Sequence, residues 1–277
     1  MANGGTNGGG GAEIDFSDNA KGGTARVELF GNGLLSIVQQ LHGVTIGSLE
    51  GDGMVSLGSS PLTVGSNNLS TTFSGVLGEP SSTGSIVKTG TGTWTLTGES
   101  TFYGGTTVTQ GILVVSNPAG SATGNGPVFV NSGTLGGSGI IAGAVTVGTG
   151  SGTGAFLAPA SGGKKQLTLT IQSALTFNSD ATYTYSFKAK QNKARTDKVI
   201  ANGVTINSGA MLNLSGQTQG SLKQGLTLTV ISNTSANPIS GTFSNLPDGG
   251  IVNVNGDNLQ ASYEGGDGND LTLTVVP

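Results

Sequence analysis

Residues 84–115 read GSIVKTGTGTWTLTGESTFYGGTTVTQGILVV. Short runs at 86–88, 94–97, 106–109 and 112–115 are rich in β-branched and apolar residues, and the links between them carry glycine. Thr93, Thr95 and Thr97 alternate with Trp94 and Leu96, so in an extended chain the threonines line one face and the apolar pair the other. Glycines at 90, 92, 98, 104, 105 and 111 permit positive φ at corners and let one layer of chain approach the next. The stretch predicts strand, corner, strand, corner, with no helical period.

The same rhythm extends both ways, through 25–30, 44–49, 54–57, 62–64 and 73–77 before it, and through 128–130, 144–147, 167–171, 204–206, 211–214, 226–231, 251–254 and 271–276 after it. Such spacing suits either an all-β sandwich or a solenoid. A chain of 277 residues is large for one sandwich, whereas a stack grows coil by coil because each coil buries its face on the next. Runs of three to five residues and corner sequences such as GTLGGSG at 133–139 favour a β-helix with about three short strands per coil. At about 20 to 25 residues per coil the chain makes roughly 12 coils, a rod of about 60 Å. The Gly-rich arm or first coil is expected over 1–23 and a continuous β-helix over 24–277. Residues 33–42 place Leu34, Leu35, Val38 and Leu41 at spacings compatible with one helical face, although a further strand over 34–38 fits as well.

Composition agrees. The chain holds 51 glycines, 35 threonines and 30 serines, a palette that favours pleated strands and tight turns. A hydrophobic fraction of 34% with net charge −4 argues for a folded chain rather than a disordered one. Eleven Lys plus Arg leave no basic field for nucleic acid, and the absence of cysteine removes disulfides and thiolate chemistry. The longest apolar runs fall far short of the roughly 18 residues a membrane helix requires. The start, MANGGTNGGGG, has neither a basic nor an apolar signal region, so no secretory signal is read there.

Several segments together carry a resemblance. Lys88-Thr89-Gly90-Thr91-Gly92-Thr93, Leu96-Thr97-Gly98, 101–108 (TFYGGTTV) and Gln110-Gly111-Ile112-Leu113 resemble the autotransporter-associated β-strand repeat, or passenger-associated transport repeat, of bacterial secreted proteins. Residues 43–53 and 62–76 are similar to coils that precede this repeat, and 197–200, 209–214 and 265–270 to the C-terminal part of such passengers. The resemblance implies a right-handed parallel β-helix displayed outside a bacterial cell, with no chemistry of its own. No stretch repeats the ten-residue lipid-facing strands of an outer-membrane barrel.

Candidate chemistry is sparse. Residues 265–270 (GGDGND) fit the opening of a calcium-binding nonapeptide, but Thr272 stands at its apolar position and the motif occurs once, so a plain turn is the alternative. The lone histidine, His42, sits in an apolar stretch without an adjacent carboxylate, which speaks against a catalytic triad. Outside the C-terminal turn, the neighbouring carboxylates Glu50/Asp52 and Asp15/Asp18 read as solvated turns rather than the acid pair of a glycan-active enzyme. No catalytic, metal or cofactor site is expected.

Charge concentrates in one place. Lys188, Lys190, Lys193, Arg195 and Lys198 put five of the eleven cations within 188–198, just after Tyr183, Tyr185 and Phe187. The segment 180–198 is expected as a basic outward excursion, with Tyr183, Tyr185 and the five cations as the candidate interaction surface for an acidic glycan, a cell-surface ligand or a second subunit. The alternative is an exposed hairpin whose lysines protect a sheet edge. The sequence thus predicts a non-enzymatic extracellular stalk or adhesive β-helix, with a filament joined through β-helix ends as the runner-up.

Overall fold

The computed structural model describes residues 1–277 apart from 6–8, 41 and 162–166. The chain winds as a three-sided parallel β-helix. Arg26–Leu29, Leu34–Ser36 and Val44–Ile46 lie on its first, second and third faces, with Glu13–Asp15 preceding Leu34–Ser36 on the second, and Ser48–Gly51, Met54–Ser56 and Leu62–Val64 repeat them one coil later. On the third face Val44, Leu62, Ile86, Thr106, Val128, Val145, Leu175 and Val204 stand in register, one per coil, all buried. The next residue of each strand points out, and six of these eight are threonine: Thr45, Thr63, Thr107, Thr146, Thr176 and Thr205, interrupted by Val87 and Phe129. Period-two alternation thus produces an aliphatic interior and a hydroxyl-lined exterior from the same three-residue strands.

Trp94 and Leu96 are buried and alternate with the half-buried Thr93 and Thr95. The Trp94 indole N–H reaches across two coils to donate to Leu49 O at 3.1 Å. The second face is interrupted. Among the described residues no strand lies on it between Val76–Leu77 and Ile140–Ile141, and the links 97–105 and 116–127 cross it instead. Phe102 fills this gap and is fully buried. A Cβ on Gly78 would fall 2.6 Å from the Phe102 Cβ, and one on Gly124 would fall 2.4 Å from its carbonyl. Only glycine above and below leaves room for the ring.

Two expectations need correction, and one pair of alternatives is decided. Of the two readings of 33–42 the strand holds: Leu34–Ser36 pairs in parallel with Glu13–Asp15 and with Met54–Ser56, neighbours on both sides that override the local helical spacing. Leu35 is buried and Val38 exposed, while Leu41 lies outside the described residues. The coils are fewer than twelve: among the described residues the third face holds eight strands, and its steps range from 17 residues, Val128 to Val145, to 30, Val145 to Leu175. Parallel winding also stops short of Pro277: Thr227–Asn233, Asp270–Val276, Asp257–Gly265 and Ile251–Val254 pair antiparallel in that order.

This end of the chain covers Met211–Gln219, the last strand of the first face. The Asn245 amide accepts from Leu212 N at 2.9 Å and donates to Leu212 O at 2.7 Å, and Asn255 Nδ2 donates to Gly216 O at 3.0 Å. Side-chain amides therefore satisfy backbone groups that a further strand would otherwise take.

Candidate functional site

The segment 180–198 forms an antiparallel hairpin, Ala181–Lys190 with Lys193–Thr196, turning at Gln191 where φ is 51°. Along its first strand Ala181, Tyr183, Tyr185, Phe187 and Ala189 face inward, so Lys188 and Lys190 face out. Tyr183 and Tyr185 are therefore core residues and not part of an outer surface. The Tyr183 hydroxyl donates to Val230 O at 3.0 Å and that of Tyr185 to Thr229 O at 3.3 Å. Burial pushes both phenol pKa values well up. Their rings continue a stack with Phe177, Phe243 and Phe187 at centroid separations of 5.3–6.4 Å. Tertiary packing explains the failed expectation, since five inward positions in one long strand demand apolar bulk.

Four of the five cations come together. Lys188 stands directly opposite Arg195, and Lys190 opposite Lys193. On the other side of the same strand Lys188 pairs with Gln217 and Lys190 with Gln219. These six residues line a groove of about 820 Å³, and no carboxylate lines it. Among the described residues the ion pairs are those of Arg26 with Glu28 and Glu50, so none neutralises the hairpin. Lys198 does not join the group: it starts the strand Lys198–Ala201 in another sheet, close enough to Asp270 to lower that carboxyl's pKa against the opposing, larger effect of burial. Lys223 takes a place near the tip, its backbone N–H donating to Gln191 O at 2.9 Å. What the array can do chemically is bind anions.

Asp197 fixes the hairpin base. It is buried, and its carboxylate accepts from Leu167 N at 2.9 Å, Ser186 N at 3.1 Å and the Ser186 hydroxyl. Sequence reading missed it because an acid amid cations reads as solvated.

A second lysine environment lies in the central coil. Lys88 is 1% exposed, and its Nζ donates to Thr89 O at 2.6 Å, Gly90 O at 2.9 Å and Gln110 O at 3.2 Å. A Cβ on Gly111 would stand 2.8 Å from that nitrogen, so glycine makes room for the ammonium. Burial lowers the Lys88 pKa to about 8. The signal was available, since Lys88 shares inward parity with Ile86.

Residues 86–115 match the passenger-associated transport repeat. The repeat therefore spans two strands of the third face, two of the first and the strandless crossing between them that Phe102 plugs. The chain is also 41% identical over 106 residues to the adhesin BmaC autotransporter of Brucella suis biovar 1 (strain 1330). That match covers 35% of this chain and 3% of that protein.

The remaining candidates are spread out. His42 is exposed. Glu50 binds Arg26, and Asp52 accepts the Gly31 N–H at 2.8 Å. Residues 265–270 turn between the last two strands, where Asp270 accepts the Asn233 N–H at 2.8 Å. Among the described residues no three His, Cys, Asp or Glu side chains are grouped so as to hold a metal ion.

Proposed function

We propose that this chain is a rigid adhesive segment of a secreted or surface-displayed bacterial passenger, acting by presenting its faces and not by catalysis. The observation that carries the reading is the continuity of the stack through the repeat. Ile86 pairs with Leu62 on one side and Thr106 on the other, and Trp94 with Thr71 and Leu113. The transport-type repeat is thus part of one prism, whose long hydroxyl-lined sides are what a partner meets. The similarity to a protein named as an autotransporter adhesin points the same way.

The filament alternative is less well supported, because Asn245 and Asn255 occupy edge groups of Met211–Gln219 that end-to-end growth would use. Two measurements test the reading. Beads coated with the purified chain should adhere to mammalian cells, with soluble chain competing, and failure to adhere retires the adhesive role. Sedimentation velocity should give a single species independent of concentration, and rods that lengthen with concentration would favour the fibre instead.

A further inference from the structure

We infer that the outward side of the hairpin and of the strand beside it is a binding site for an extended polyanionic glycan bearing sulfate or carboxylate groups. This rests on the adhesive reading and assigns it a ligand class and a place. Lys188/Arg195 and Lys190/Lys193 are like-charge pairs at directly opposed positions, an arrangement that costs stability in an antiparallel pair. No carboxylate lines the groove to offset the cost. Edge protection explains Lys193 and Arg195, which lie on the outer strand of the hairpin. It does not explain Lys188 and Lys190, because their strand is paired on both sides, with Lys193–Thr196 and with Met211–Gln219. An interior strand needs no guard.

A ligand supplies the missing counter-charge. Two rows of donors cross three strands, Arg195–Lys188–Gln217 and Lys193–Lys190–Gln219, so the cations lie at strand spacing, about 4.8 Å, in one direction. Such a surface meets a chain of anions rather than a single ion. The two glutamines and Asn192 add neutral amides that both donate and accept, which suits sugar hydroxyls flanking each anionic group. A membrane surface fits less well, since the groove is lined by no large apolar side chain that could insert.

The test uses the purified full chain on immobilised heparin fragments in 0.15 M salt, with dextran, single-stranded DNA and phosphatidylserine vesicles alongside. Wild type is expected to bind heparin with an affinity that falls steeply with salt, and not to bind dextran. The interior-strand variant K188Q/K190Q should lose at least about tenfold, and the quadruple variant with K193Q and R195Q should lose binding while melting no lower than wild type. Undiminished heparin binding by the quadruple variant overturns the site. Equal or tighter binding to DNA or vesicles overturns the ligand class. Bead adhesion that survives the quadruple substitution leaves the adhesive reading standing without this site, whereas beads that never adhere sink that reading by itself.

Discussion

The central coil and the C-terminal hairpin each handle lysine, in opposite ways. At Lys88 one ammonium is buried and given three carbonyl oxygens from two successive corners. At Lys188, Lys190, Lys193 and Arg195 four cations are exposed, opposed to one another and given no carboxylate. A charge with all its donors satisfied inside the protein works for the fold. One left unsatisfied at a cost to the fold is available to a partner. The same comparison applies to aromatic residues: Phe102 fills a gap in a coil of short strands, while Tyr183, Tyr185 and Phe187 hold together two long ones.

If the central coil is held by a plug and a nest, removing either should cost far more than any change to the hairpin's outer side. Phe102→Ala empties a fully buried site bounded by Gly78 and Gly124 and is expected to cost about 3–5 kcal/mol in urea unfolding. Lys88→Met keeps the length of the side chain but strands three carbonyls, at a cost of about 3 kcal/mol. A loss below about 1 kcal/mol in either variant would make the central coil as tolerant as the surface and erase the distinction.

The pH dependence sharpens it further. Lys88 has its pKa lowered from 10.5 to about 8 by burial. Between those values the unfolded chain holds a proton that the folded one has released, so the contribution of this group to stability rises with pH across that window. The buried tyrosines act oppositely. Tyr263 is pushed up to about 12, and Tyr183 and Tyr185 are raised as well, so above about pH 10 the unfolded chain ionises first and stability falls. Subtracting the Lys88→Met melting temperature from that of wild type cancels the tyrosines. The difference should grow from pH 8 to pH 10.5, and a flat difference would mean that Lys88 keeps an ordinary pKa inside the nest.

Much of this contrast was legible in the residues. Alternation assigned Trp94 and Leu96 to the interior, and the glycine corners and threonine rows pointed to a β-helix. What escaped was whatever depends on neighbours far along the chain. The parity that buries Lys88 was present, but one of its three carbonyl partners lies a coil away at Gln110. Tyr183 and Tyr185 share a stretch with the cations and were grouped with them, although a two-residue period separates inward from outward along the strand. Lys198 pairs with Thr168 in a different sheet, and where the spacing of 34–38 allowed either helix or strand, two flanking strands decide for the strand at Leu34–Ser36. The antiparallel end follows from pairings between strands of nearly equal propensity, which local sequence does not order.

The smallest expected effect is the most discriminating, because its sign separates a structural hairpin from a recruiting one. Were the four cations there to stabilise the hairpin, replacing them with glutamine would lower the melting temperature. If instead they are opposed charges kept for an outside partner, K188Q/K190Q should raise stability by about 0.2–1 kcal/mol, since each substitution relieves a directly facing like charge. The gain should shrink in high salt, where the repulsion is already screened at the exposed side chains. A Tyr183→Phe control, which removes only the hydroxyl bonded to Val230 O, should move stability the other way by about 1 kcal/mol. Neutralising the outward charges while trimming the inward hydroxyl therefore gives changes of opposite sign along one strand, and two changes of the same sign would show that its two sides do not divide the work between partner and core.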